Sequence, residues 1–141
     1  MDIRYYRVER KFTFPMGHRL SKHLGACANV HGHNVTLLVG VKSIMLNDND
    51  MVIDFHDLKE IVEPIVNEWD HCTLLNIKDK NNALECELFK KINVFDFDPT
   101  AERLSEYLYH SIDNLLPVGV KMDYVKFYEN ENSMATFSVP E

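Results

Sequence analysis

Both ends of this chain alternate, and its middle does not. Residues 3–14, IRYYRVERKFTF, and 33–44, HNVTLLVGVKSI, are rich in aromatic and β-branched residues and predict two strands. Near the C-terminus GVKMDYVKFYE alternates again, ENEN turns the chain, and SMATFSV predicts the returning strand. Two segments of helical period lie between these pairs. In the first, Asp54 is the expected N-cap and Asp57 a favourable first-turn charge. Leu58, Ile61, Val62, Ile65 and Trp69 share one face, while Pro64 should kink the helix or shift its boundary. In the second, DPTAERLSEYLYHSIDNLL, Asp98 can cap, Pro99 suits the first helical position, and Leu104, Leu108, Ile112 and Leu115 align.

The expected architecture is therefore α+β: an antiparallel four-stranded sheet in β-β-α-α-β-β order, with two helices on one face. Its second face must be wet or covered by other subunits. Residues 76–97 are the least legible. KDKNN reads as a polar turn, ALECELFKKI as a short helix and NVFDF as a short strand.

The 141 residues, 45% hydrophobic and 26% charged, suit one globular domain over 1–141. A net charge of −7 with no basic face argues against a nucleic-acid partner. No apolar run approaches the ~18 residues of a membrane span. MDIRYYRVER lacks the apolar core of a signal peptide. Cys27, Cys72 and Cys86 are odd in number and form no C-x-x-C pair, which disfavours a disulfide framework. A reduced, cytoplasmic protein is the economical expectation.

The chemistry-bearing stretch is ACANVHGHN, residues 26–34. His31 and His33 are two apart at a strand start, so their side chains share a face and can reach one ion. His18 ends the preceding strand and comes near them if the two strands pair. Three neutral imidazoles suit Zn²⁺ and leave a fourth position open for water or substrate. A half-exposed strand carrying two unconnected histidines explains H-x-H equally well. Cys27 has three readings: a small buried hydrophobe, a fourth ligand closing a structural zinc site, or a thiolate base beside the metal. Asp70 and His71 follow the first helix directly, where a carboxylate can fix the imidazole tautomer; a polar helix end is the alternative. Glu129 ends an alternating strand and can accept two parallel N–H donors, although such glutamates are usually just solvated. Arg19, Lys22 and His23 form the one compact basic cluster near the metal loop and are candidates to hold an anionic group.

FPMGHRL, CANVHGHN, MVIDFHDLK, WDHCTLLN, DPTAERL and VKFYENENSMATF occur in this order. Together they resemble the 6-pyruvoyl-tetrahydropterin synthase / 6-carboxy-tetrahydropterin synthase family over nearly the whole chain. The resemblance implies zinc on His18, His31 and His33, Cys27 as proton acceptor, and His71 as relay with Asp70 as its partner. It implies Glu129 as pterin anchor and possible relay partner, with Thr100 and Glu102 lining the pterin pocket. It further implies a tunnelling fold (T-fold), in which three subunits close a barrel and two trimers stack into a homohexamer with active sites between subunits. The implied substrate is 7,8-dihydroneopterin triphosphate and the implied activity that of a lyase. A short chain without an N-terminal extension favours the carboxy branch, in queuosine biosynthesis, over the pyruvoyl branch. A zinc-stabilised scaffold without activity is the third expectation. The sequence departs from the family in FPMGH, in DPTAE for the commoner NPTAE, and in YENEN where ETP is usual.

Overall fold

The computed structural model describes residues 3–141. Met1 and Asp2, the start of the segment inspected for a signal peptide, lie outside the described residues. Two long strands dominate. β1 (Tyr6–His18) and β2 (His31–Ser43) pair antiparallel along their whole length, from Tyr6 opposite Ser43 to His18 opposite His31. β5 (Lys121–Tyr128) pairs with β2, and β6 (Met134–Phe137) with β5, both antiparallel. These are the four strands expected from alternation.

The sheet nevertheless has six strands, in the order β4-β3-β1-β2-β5-β6, which corrects the expected four-stranded sheet and the β-β-α-α-β-β order. β3 (Cys72–Asn76) follows the first helix and runs parallel to residues 16–18 of β1; β4 (Ile92–Phe95) runs parallel to β3. The physical reason is burial. In CTLLN only Thr73 is not buried, so the strand has no alternation to betray it. Along residues 6–15 the outer flank of β1 carries no partner strand among the described residues.

α1 (Phe55–Trp69) is capped by Asp54, whose side chain accepts from His56 N at 2.7 Å. It buries Leu58, Val62, Val66 and Trp69, and it continues through Pro64 with no shift of boundary. α2 is one short piece, Lys80–Leu84, so most of ALECELFKKI is not helical. α3 (Ala101–Asp113) begins later than expected. Thr100, not Asp98, is its N-cap, accepting from Arg103 N at 3.1 Å. Leu104, Leu108 and Ile112 are buried as expected, but Leu115 lies past the helix end and is exposed.

One core joins the helices to a single sheet face. It contains Phe12, Phe14 and Met16 of β1, Val35, Leu37, Val39 and Val41 of β2, and Val125 and Phe127 of β5. Residues of opposite parity, such as Lys11, Thr13, Thr36, Leu38 and Lys126, are exposed or half-buried on the helix-free face. On that face the ring of Tyr124 lies across Gly40, where an added Cβ would come within 2.5 Å of it. No helix among the described residues is long and apolar enough to cross a membrane.

Candidate functional site

The β1–β2 register builds the histidine cluster. His18 stands opposite His31, and His33 lies two residues along β2, opposite Met16. All three project from the core face at the open end of the sheet. Each offers one ligand nitrogen, and these lie within 4.8 Å of one another. The three rings approach edge to face, with centroids 4.5–5.0 Å apart.

Two of the rings are held from behind. His18 Nδ1 lies 2.8 Å from the Pro99 carbonyl, and His31 Nδ1 2.7 Å from the Asn29 carbonyl. A carbonyl only accepts, so both Nδ1 atoms carry the proton and both Nε2 lone pairs turn inward. His18 Nε2 and His33 Nε2 are 3.2 Å apart. Two imidazoles on one tetrahedral zinc, each bonded at about 2.05 Å, place their nitrogens about 3.3 Å apart. The donor type, the His18 and His31 tautomers and the His18–His33 spacing thus fit a metal ion. His18 is fully buried, and burial, opposed by the Pro99 carbonyl and reinforced by His31 and His33, pushes it down to about 4. It is neutral at ordinary pH, as a ligand must be.

Glu129 closes the cluster on one side. It directly follows β5, and its backbone N–H donates to the Ser133 carbonyl across the ENEN turn. Its carboxylate oxygens lie 3.9 Å from His18 Nε2 and 3.8 Å from His33 Nε2. A depression of about 860 Å³ adjoins Glu129, but it lies mostly on the helix-free face, lined by Lys11, Thr36, Leu38 and Tyr128, and of the three histidines it meets only His33. That volume suits a small organic ligand.

The other expected residues are placed as follows. Cys27 sits half-buried on a 3-10 turn, Ala26–Ala28, and does not belong to the metal-holding group. The loop that carries it is tied down: Leu20 N–H donates to the Cys27 carbonyl at 2.9 Å and Arg19 Nε to the Ala28 carbonyl at 2.7 Å. Arg19 also pairs with Asp79 at 2.8 Å, so its guanidinium braces the loop and is not free for an anion. The His23 ring accepts from Gly25 N–H. Asp70 and His71 do form a pair, with Oδ1 2.7 Å from Nδ1. His71 takes a left-handed backbone (φ 56°) just past the α1 end, and its N–H donates to the Pro15 carbonyl. Its side chain is 79% exposed, and no hydrogen bond or ion pair links it to the histidine cluster among the described residues. Thr100 is half-buried with its hydroxyl engaged as the α3 cap; Glu102 is exposed in the first turn of that helix.

Sequence reasoning missed Pro99 and Asp98 as supports of the site. The only signal in the sequence is the departure DPTAE, where Asp98 reads as a helix cap.

A profile of the family described as 6-pyruvoyl tetrahydropterin synthase matches residues 7–140. The chain belongs to that family. Among similar proteins of the family, a 6-carboxy-5,6,7,8-tetrahydropterin synthase of Aquifex aeolicus is 27% identical, the match covering 94% of this chain and 97% of that one. A 6-pyruvoyl tetrahydrobiopterin synthase of Pongo abelii is 31% identical, with 93% of this chain and 90% of that one covered. The solved structure of the Caenorhabditis elegans 6-pyruvoyl tetrahydropterin synthase shares the fold, with a TM-score of 0.73 at 21% identity and 99% of each chain covered.

Proposed function

We propose that this chain is a 6-carboxy-5,6,7,8-tetrahydropterin synthase. It would convert 7,8-dihydroneopterin triphosphate and water to 6-carboxytetrahydropterin, acetaldehyde and triphosphate in queuosine-type 7-deazaguanine biosynthesis. The observation that carries the reading is the set of three histidine nitrogens, within 4.8 Å of one another, beside the Glu129 carboxylate. Relatives that carry the carboxy name over nearly their full length support this branch.

His18, His31 and His33 would hold zinc, which when bound supplies Lewis acidity toward the side-chain oxygens of the substrate. Cys27 would take a proton from the substrate side chain. His71, its tautomer fixed by Asp70, would return one. Glu129 would accept the 2-amino and N3–H donors of the pterin, and Thr100 and Glu102 would line the pocket. His71 is exposed and unconnected to its own chain's histidines, so it would complete the site of a neighbouring subunit in a homohexamer. The unpartnered flank of β1 and the helix-free sheet face support such an assembly.

The pyruvoyl reaction, elimination of triphosphate alone, is the second reading and is favoured by the Pongo abelii relative. A scaffold with a closed Cys/His₃ zinc site is disfavoured because Cys27 stands outside the ligand group. Product analysis decides among them. Zinc-loaded protein is incubated with dihydroneopterin triphosphate, and the pterin and acetaldehyde are quantified. Carboxypterin with equimolar acetaldehyde is expected; a pyruvoyl product without acetaldehyde selects the second reading, and no turnover selects the scaffold.

A further inference from the structure

Asp98 is buried, yet it carries three donors at once. Ser21 Oγ donates to Oδ1 at 2.5 Å, Asn76 Nδ2 donates to Oδ1 at 3.1 Å, and Lys22 N–H donates to Oδ2 at 2.8 Å. Burial alone would raise its pKa, but the bonds from Ser21, Lys22 and Asn76, with the Lys78 charge, hold it below the usual carboxylate range. A buried ionised carboxylate with satisfied oxygens is costly to build and rigid once built.

Its three donors come from two separate pieces of chain. Ser21 and Lys22 begin the loop that ends at Cys27, to which Leu20 is bonded. Asn76 ends β3, the strand that flanks His18. The backbone of Asp98 itself leads into Pro99, whose carbonyl fixes the His18 tautomer. The Asp98 carbonyl also accepts from Thr100 N–H at 2.8 Å, which tightens the same turn. Orientation of a ligating histidine by a backbone carbonyl is only as firm as the carbonyl's own support.

We propose that Asp98 is a positioning residue of the metal centre. By pinning the 98–100 turn to the 20–22 turn and to the end of β3, it fixes the Pro99 carbonyl that aims His18 Nε2, and it sets the start of the Cys27 loop. The proposal rests on the reading of the three histidines as a metal site.

The test compares wild-type protein, Asp98→Ala and Asp98→Asn. The readouts are zinc affinity by competition with a chromogenic chelator, the visible spectrum of the cobalt(II) form, and ¹⁵N shifts of the His18 ring in metal-free protein. Asp98→Ala is expected to bind zinc about tenfold more weakly, with an altered cobalt spectrum and a His18 ring no longer held as the Nδ1–H tautomer. Asp98→Asn keeps the shape but offers one acceptor oxygen, so its amide nitrogen would face either Lys22 N–H or the Ser21 and Asn76 donors, and an affinity between those of wild type and Asp98→Ala is expected. If Asp98→Ala does not fold, Asp98→Asn and Ser21→Ala carry the test, each with measurably weaker zinc binding. A folded Asp98→Ala, or failing that both milder variants, with wild-type affinity and an unchanged cobalt spectrum overturns the proposal alone. Wild-type protein that holds no zinc overturns the metal reading and this proposal together.

Discussion

His18 and His31 are direct partners across the β1–β2 ladder, their ring centroids 4.5 Å apart. The metal-holding geometry is therefore a property of strand register. A slip of one residue would turn His31 and His33 to the opposite face from His18.

His31→Ala removes one of the three nitrogens and leaves the ladder intact. Zinc content is expected to fall from one equivalent per chain to well below half after dialysis, with the circular dichroism unchanged. Elemental analysis of the dialysed variant checks this; a full equivalent of zinc would remove His31 from the site.

Cys27→Ala should keep zinc and assembly, since the thiol lies outside the ligand group. Turnover should drop by ~10²–10⁴-fold, the usual worth of a positioned acid or base. Mixing subunits sharpens the test. If copies assemble and each site takes the two residues from different copies, mixtures of inactive Cys27→Ala and inactive His71→Ala chains should regain part of the activity. No recovery would place both in one chain's site.

Glu129→Ala should weaken binding of a pterin analogue by about 2 kcal/mol, the scale of a hydrogen bond to a charged group. Titration calorimetry on folded, zinc-loaded variant gives the number. Wild-type affinity would defeat the anchor role.

His18 makes the metal-free protein sensitive to mild acid. Its pKa lies near 4 in the fold against 6.5 ordinarily, so between these values the unfolded chain binds the extra proton. Its contribution is fully present above pH 6.5 and is lost as pH falls toward 4, by about 3 kcal/mol in all. Urea melts of metal-free wild type and His18→Asn from pH 7 to 4 should converge as the pH falls. Parallel curves would show that His18 does not carry the effect.

The parts of the fold legible in sequence were those with a local signature. Alternation in RVERKFTF and NVTLLVGV marked β1 and β2, and Asp54 marked the start of α1. NVFDF already marked a short strand near β4, but β3 had no such mark, because a short buried strand that pairs in parallel owes its existence to partners far along the chain. The same holds for the site. His31 and His33 announced a shared face through their spacing, but the role of Asp98 depends on Ser21 and Asn76, 77 and 22 residues away, and no local pattern encodes that meeting.

The long outer flank of β1 has a consequence for a solitary copy. Along residues 6–14 the outer flank of β1 has no partner strand among the described residues, and β6 leaves another rim at the far side of the sheet. A free strand edge is a template for strand addition, so such a copy would be open to pairing with others, in closed rings or in open-ended aggregates. A charge placed on that flank is expected to hinder such pairing.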